Sequence, residues 1–275
     1  FRADEPTSSE LVYGRRDRKT FHAAWLVVIP QKGIGHTYET LIDATDGRVL
    51  SRHNRLVFES TQNVTLRAYT SDGIAPGSPG TPTPSGAQFP VVSSSLNVIT
   101  PAAVLPFSPN GWITDGNQET LGNNVDAHSD TDNNNSPDLP RPNGGASRVF
   151  DFTYDPNQAP NASTTQRNAS ITQLFYLSNN YHDRLYALGF NEAARNFQTL
   201  NFSGLGVGND AVQADAQDGS GTNNANFNTS GADGSSARCQ MYVFTGPTPD
   251  RDGSFDGDIV YHELTHGTSI RLHGG

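Results

Sequence analysis

Apolar positions along this chain switch between two periods. Phe21-His22-Ala23-Ala24-Trp25-Leu26-Val27-Val28-Ile29 is a near-continuous apolar, β-branched run of strand length. Tyr38 to Thr45 reads as a second strand, Asp46-Gly47 as a tight turn, and Arg48-Val49-Leu50-Ser51 as a third strand, which predicts a hairpin. Between residues 60 and 111, Pro/Gly/Ser-rich stretches such as Ala75 to Pro84 separate short strand runs at Asn63–Tyr69 and Phe89–Val92, so loops and irregular β structure are expected. The period then becomes helical. Ile171, Leu174, Phe175, Tyr181, Leu185 and Leu188 recur on one face over residues 170–190, with Ser170 as the expected cap and Gly189 as the stop. Gln240 to Phe244 is a short strand that leads through a Pro/Asp loop into a last amphipathic segment. Asp256 and Asp258 suit the start of that helix, Val260 and Leu264 form its apolar stripe, and Gly274-Gly275 are expected to stop it.

This last segment carries the chemistry. His262-Glu263-Leu264-Thr265-His266 places two imidazoles four positions apart, one helical turn from each other on one face. That spacing lets two ring nitrogens reach one Zn²⁺ at about 2.0–2.1 Å. A glutamate directly after the first histidine stands beside the metal without ligating it, the place of a general base toward water activated there. Chance would produce the pattern roughly 0.006 times in a chain of this composition. The longer His-Glu-x-x-His-x-x-Gly-x-x-His form is absent. Ser269 occupies the glycine position, Leu272 the last histidine position, and His273 comes one residue late, about 100° around the helix. A third ligand must therefore come from elsewhere in the protein, and a downstream glutamate is the expected solution for a His₂Glu site. Without it the 275-residue chain alone is expected to be inactive.

Composition narrows the classes. With 34% apolar residues, 27 Gly, 17 Pro and 17% charged residues, the chain is rich in loops and strands. A net charge of −10 with only Lys19 and Lys32 as lysines argues against nucleic acid and against an anionic membrane surface as partners. No apolar run approaches the roughly 18–20 residues of a membrane span. Phe1-Arg2-Ala3-Asp4-Glu5 has no signal-peptide pattern, so further sequence is expected at both ends. Cys239 is alone, which rules out an internal disulfide. Asn-x-Ser/Thr sequons at Asn63, Asn161, Asn168, Asn201 and Asn228 matter only if the source glycosylates. Asp130-x-Asp132-x-Asn134-Asn135 alternates oxygen donors suited to Ca²⁺, but Asn135 and Arg141 break the EF-hand pattern, and a polar loop is the favoured reading over a calcium site.

Several segments together carry a family resemblance. Leu177-Ser178-Asn179-Asn180-Tyr181-His182-Asp183 with Leu188-Gly189-Phe190, then Asn196-Phe197-Gln198, then Gly221-Thr222-Asn223-Asn224-Ala225-Asn226-Phe227, then His262 to Gly267 resemble, in order and spacing, the fungalysin family of secreted metallopeptidases. Gly122-Asn123-Asn124-Val125 fits the same pattern. Residues 1–60 resemble the C-terminal part of that family's inhibitory propeptide module, and 61–275 the N-terminal, β-rich portion of a thermolysin-like catalytic domain carrying the zinc helix. The resemblance implies an α+β fold, His262 and His266 as zinc ligands, Glu263 as catalytic base, and Asn224, Ala225 and Asn226 as an edge segment that binds the substrate backbone. It also implies a secreted, monomeric zymogen acting on proteins or peptides and inhibited by its own propeptide. Its third ligand and oxyanion donors would lie beyond Gly275. The junction at Phe58 to Leu66 is polar then strand-like, as a cleavable segment should be. The competing reading is a non-catalytic secreted β-rich binding module with a vestigial histidine pair.

Overall fold

The structure is a computed structural model that describes residues 8–15, 20–30, 37–54, 63–70, 75–80, 93–100, 103–104, 107–114 and 116–273. The expected strand at Phe89–Val92, the Gly274-Gly275 helix stop, the Phe1–Glu5 terminus and the Phe58 to Gln62 part of the junction lie outside the described residues. The chain forms two compact units, Phe1–Phe58 with Phe202–Gly204, and Glu59–Asn201 with Leu205–Gly275.

The first unit contains an antiparallel meander of β1 (Ser8–Arg15), β2 (Phe21–Pro30), β3 (Thr37–Asp43) and β4 (Val49–Asn54). Strand β1 was not apparent from the apolar pattern, because its Leu11 and Tyr13 stay exposed and its polar residues blur the alternation. The turn at Asp46-Gly47 forms as predicted. Gly47 has φ of +73°, and the Asp43 and Asp46 carboxylates accept from the Thr45 and Arg48 amides.

The second unit is α+β. Its larger sheet runs in the order β10 (Ala225–Thr229), β11 (Ala237–Met241), β9 (Val212–Ala216), β7 (Val125–Ser129). The β10–β11 pair is antiparallel, while β11–β9 and β7–β9 are parallel. A smaller sheet orders β6 (Ser95–Ile99), β5 (Val64–Ala68), β8 (Val149–Phe150), and a two-stranded ribbon pairs β12 (Val243–Phe244) with β13 (Arg251–Asp252). Two helices, α1 (Thr164–Ala187) and α2 (Gly257–His273), pack against the larger sheet and each other. Many of the sheet's buried positions are small, Ala127, Ala214, Ala216, Ala225, Ala237 and Cys239, beside the larger Val125, Val212 and Met241. Short side chains let both helices approach closely, and Leu174, Phe175, Leu177, Val260 and Leu264 fill the space between.

Helix α1 begins six residues before the sequence expectation. Ser163, not Ser170, is the N-cap, accepting from the Gln166 amide, and Ser170 is buried mid-helix with its hydroxyl on the Asp252 carboxylate. The first turns hide Gln166 and Asn168 as well as Ala169, so burial there is not matched by hydrophobicity. Gln166 is held by both the amide and the carbonyl of Asp155, and Gln173 grips Tyr69 in the same two-pronged way. The helix stops where expected, at Gly189, whose φ is +105°. No helix among the described residues is long and apolar enough to cross a membrane.

Candidate metal and catalytic site

Helix α2 has two chemically different sides. Gly257, Val260, Leu264, Gly267, Thr268 and Arg271 are buried at helical spacing against the sheet and α1. His262 and His266 project on the open side, and Glu263 lies between, its residue only 7% exposed. The N-terminus is fixed by a short 3₁₀ turn at Gly253–Phe255 and by Asp256, whose carboxylate accepts from the Ile259 amide. At the other end Arg271 is fully buried. Its guanidinium sits 3.0 Å from Asp210, 3.3 Å from Asp233 and donates to the Ser235 carbonyl at 2.7 Å, while stacking over Phe197. The Tyr181 hydroxyl on α1 meets Thr265 and Thr268, each at 3.0 Å. The helix is thus bolted at its start, middle and end.

The imidazoles converge. Nε2 of His262 lies 3.0 Å from Nε2 of His266. Two ligands at 2.0–2.1 Å from a tetrahedral ion would stand about 3.3 Å apart, so a metal fits with a small opening of the pair. One ligand atom each from His262, Glu263 and His266 lies within 4.8 Å of the others, and among the described residues this group has no fourth His, Cys, Asp or Glu. Burial pushes the Glu263 carboxyl above the usual carboxylate range, and the two imidazoles oppose that shift. Cys239 is fully buried, and that burial, with the Glu263 and Asp215 charges, raises its thiol pKa well above the ordinary value.

A cleft of about 360 Å³ brings Asn224 and Ala225 to His262 and Glu263. Strand β10 is the edge of its sheet among the described residues, so one side of its backbone has no strand partner there. Asn226 sits on the same strand, but its side chain is committed to the Tyr242 hydroxyl and does not line the cleft. The sequence reading did not assign four lining residues to the site: Asn223, Phe244, Asp258 and Ile259. A signal existed for Ile259, which precedes His262 by three positions and shares its helix face. Asp258, four positions before His262 on the same helix, carried the same signal, and Phe244 carried none beyond its strand role.

The motifs that carried the resemblance mostly build a buried polar network. Asp183 accepts from Ser108 at 2.7 Å and from the Trp112 indole at 2.8 Å, and its neighbour His182 lies 3.0 Å away. Asn124 donates to Ser108 and to Asn179, while Asn123 clasps the backbone of Leu200. These contacts hold α1 on the sheet from which β10 projects. In the Asp130 loop, the carboxylate accepts from the amides of Asn134 and Asn135, the arrangement of a self-closed polar turn. Asp130, Asp215 and Asp218 nonetheless form a second buried acidic group. Asp215 there pairs with Arg238 and with Nε2 of His128 at 2.9 Å. Burial alone would lower the His128 pKa, but Asp126 and Asp215 outweigh it and lift it to about 9, so cations of the protein already balance much of this cluster.

Residues 84–275 match the sequence model of the fungalysin metallopeptidases. An extracellular metalloproteinase (number 10) of Coccidioides posadasii is 41% identical over 280 residues, covering 98% of this chain and 40% of its own length. Extracellular metalloproteinases of Pyrenophora tritici-repentis and Fusarium vanettenii are 50% and 45% identical over 175 and 201 residues, covering 62% and 70% of the chain but 26% and 29% of themselves. The chain therefore spans at most about two-fifths of these relatives.

Proposed function

Since the chain belongs to the fungalysin metallopeptidase family, we propose that the protein it forms part of is a secreted zinc endopeptidase that cleaves proteins or peptides with water. The observation that carries this reading is the convergence of the His262 and His266 Nε2 atoms at 3.0 Å beside the Glu263 carboxylate and in one cleft with the edge of β10. His262 and His266 would hold the metal, with a third ligand, a glutamate by family resemblance, supplied by sequence that follows. When bound, zinc would supply Lewis acidity toward the scissile carbonyl and water. Glu263 accepts the proton of the attacking water and delivers it to the leaving amine. Its buried position suits both duties, because burial raises its proton affinity toward that of a working base. The free edge of β10 at Asn224 and Ala225 holds an extended substrate by main-chain pairing, and Asn226 contributes through its backbone while Tyr242 restrains its side chain. The catalytic unit is thermolysin-like in this reading and works as a monomer. Calcium, if bound, would lie at Asp130, Asp215 and Asp218, where it must compete with Arg238 and His128.

We assign residues 1–60 to the end of an inhibitory propeptide and 61–275 to the enzyme. The division of the chain into compact units at Phe58 and Glu59 supports this. Sequencing the N-terminus of the secreted mature protein checks it: a start between about residues 58 and 70 is expected, and a start before Phe21 overturns the zymogen assignment. The catalytic reading is tested with Glu263→Gln in the full-length protein, which should abolish peptide hydrolysis with zinc retained at about one per chain. Retained hydrolysis removes Glu263 from its role.

A further inference from the structure

We infer that Asn161 carries an N-linked oligosaccharide and that Asn168, seven residues on, does not. The inference rests on the extracellular reading above. Both lie in sequons, Asn161-Ala162-Ser163 and Asn168-Ala169-Ser170, and sequence alone treats them as equivalent acceptors. The structure separates them. Asn161 is exposed in the turn ahead of α1, its side chain makes no hydrogen bond among the described residues, and it does not line the cleft. Asn168 is inside α1 and 8% exposed, on the face packed into the protein, with Oδ1 in a buried environment. A sugar on its amide nitrogen would have to replace that packing, so a chain modified there could not close α1 onto the sheet.

The remaining sequons are less suited. Asn201 uses its amide nitrogen on the Leu205 carbonyl. In Asn134-Asn135-Ser136, a further match, the Asn134 amide donates to Asp132 and accepts from the Ser136 amide. Asn228 lies in β10, the edge strand assigned to substrate pairing, and Asn63 borders residues outside those described. In the transfer, Asn161 Nδ2 attacks C1 of an oligosaccharide linked to a lipid diphosphate. The C1–Nδ2 bond forms, the C1–O bond to the diphosphate breaks, and the amide proton leaves with the diphosphate. A glycan on this turn would shield an exposed loop from proteolytic nicking, a hazard for an enzyme that shares its medium with proteases.

The test uses the full-length protein secreted by a glycosylating fungal host. Peptide-N-glycosidase converts each occupied asparagine to aspartate, which peptide mass spectrometry reads directly. Aspartate at position 161 with asparagine kept at 168 is the expected result. The Asn161→Gln variant should be secreted and migrate faster by one glycan. Unmodified Asn161 in protein recovered from the medium, or an occupied Asn168, overturns the inference while leaving secretion intact. Failure of the full-length protein to leave the cell overturns the extracellular reading and the inference with it.

Discussion

Gly267 follows the second histidine of α2, and a Cβ built there would lie 2.4 Å from both Cε1 and Cζ of Phe227 on β10. Helix and strand touch at this point because glycine leaves room for the ring. Gly267→Ala therefore sets two effects against each other. Alanine in a helix interior is favoured over glycine by about 1 kcal/mol. Forcing a methyl into a filled contact loses about 1–3 kcal/mol. The Phe227 ring is half-buried and packs on Phe197 with centroids 5.8 Å apart, so it gives way only in part. The net expectation is a destabilisation of up to about 2 kcal/mol. The decisive experiment adds a second background. With Phe227→Ala the obstruction is gone, and Gly267→Ala should then stabilise by about 0.5–1 kcal/mol. The sign reverses, with a coupling energy of about 1–3 kcal/mol. Urea unfolding of the full-length protein and its three variants supplies all four free energies. Equal effects of Gly267→Ala in both backgrounds would refute the claim that this close approach sets the position of α2 over β10.

His128 makes a prediction in pH. Its pKa rises from 6.5 to about 9 in the fold, so it adds stability that is complete below about pH 6.5 and lost as pH climbs through 9. The loss is on the order of 3 kcal/mol. Urea midpoints measured from pH 6 to pH 9.5 should fall across that window, and His128→Gln should flatten the fall; a pH-independent midpoint contradicts the ion-pair assignment. Arg271→Met leaves Asp210 buried without its guanidinium and should destabilise by about 3–5 kcal/mol in the same assay. A change under 1 kcal/mol would mean that the C-terminal clamp on α2 does not hold.

Helix α2 was the easiest part to read from sequence, since two histidines, a glutamate and an apolar stripe all follow one 3.6-residue period. The first-unit hairpin was legible for a similar reason, with the Asp46-Gly47 turn dictating its own geometry. Helix α1 was legible only where its buried face is apolar. Its first turns bury Gln166, Asn168 and Ser170, and a hydrophobic pattern cannot mark amides and hydroxyls whose burial depends on partners such as Asp155 and Asp252, up to 82 residues distant in sequence. The same limit hid the cleft. Phe244 reaches it through the β12–β13 ribbon, which no local spacing encodes. Asn224 and Ala225 were found by family resemblance, and their meeting with Glu263 depends on β10 being an edge strand.

The central claim, that His262 and His266 form a catalytic zinc site, is tested most directly by anomalous diffraction at the zinc edge from crystals of the full-length protein. The account predicts one strong peak about 2.0–2.1 Å from Nε2 of both histidines, lost in His262→Ala. A zinc-loaded protein whose peak lies elsewhere, or the absence of any peak near the pair, would contradict it.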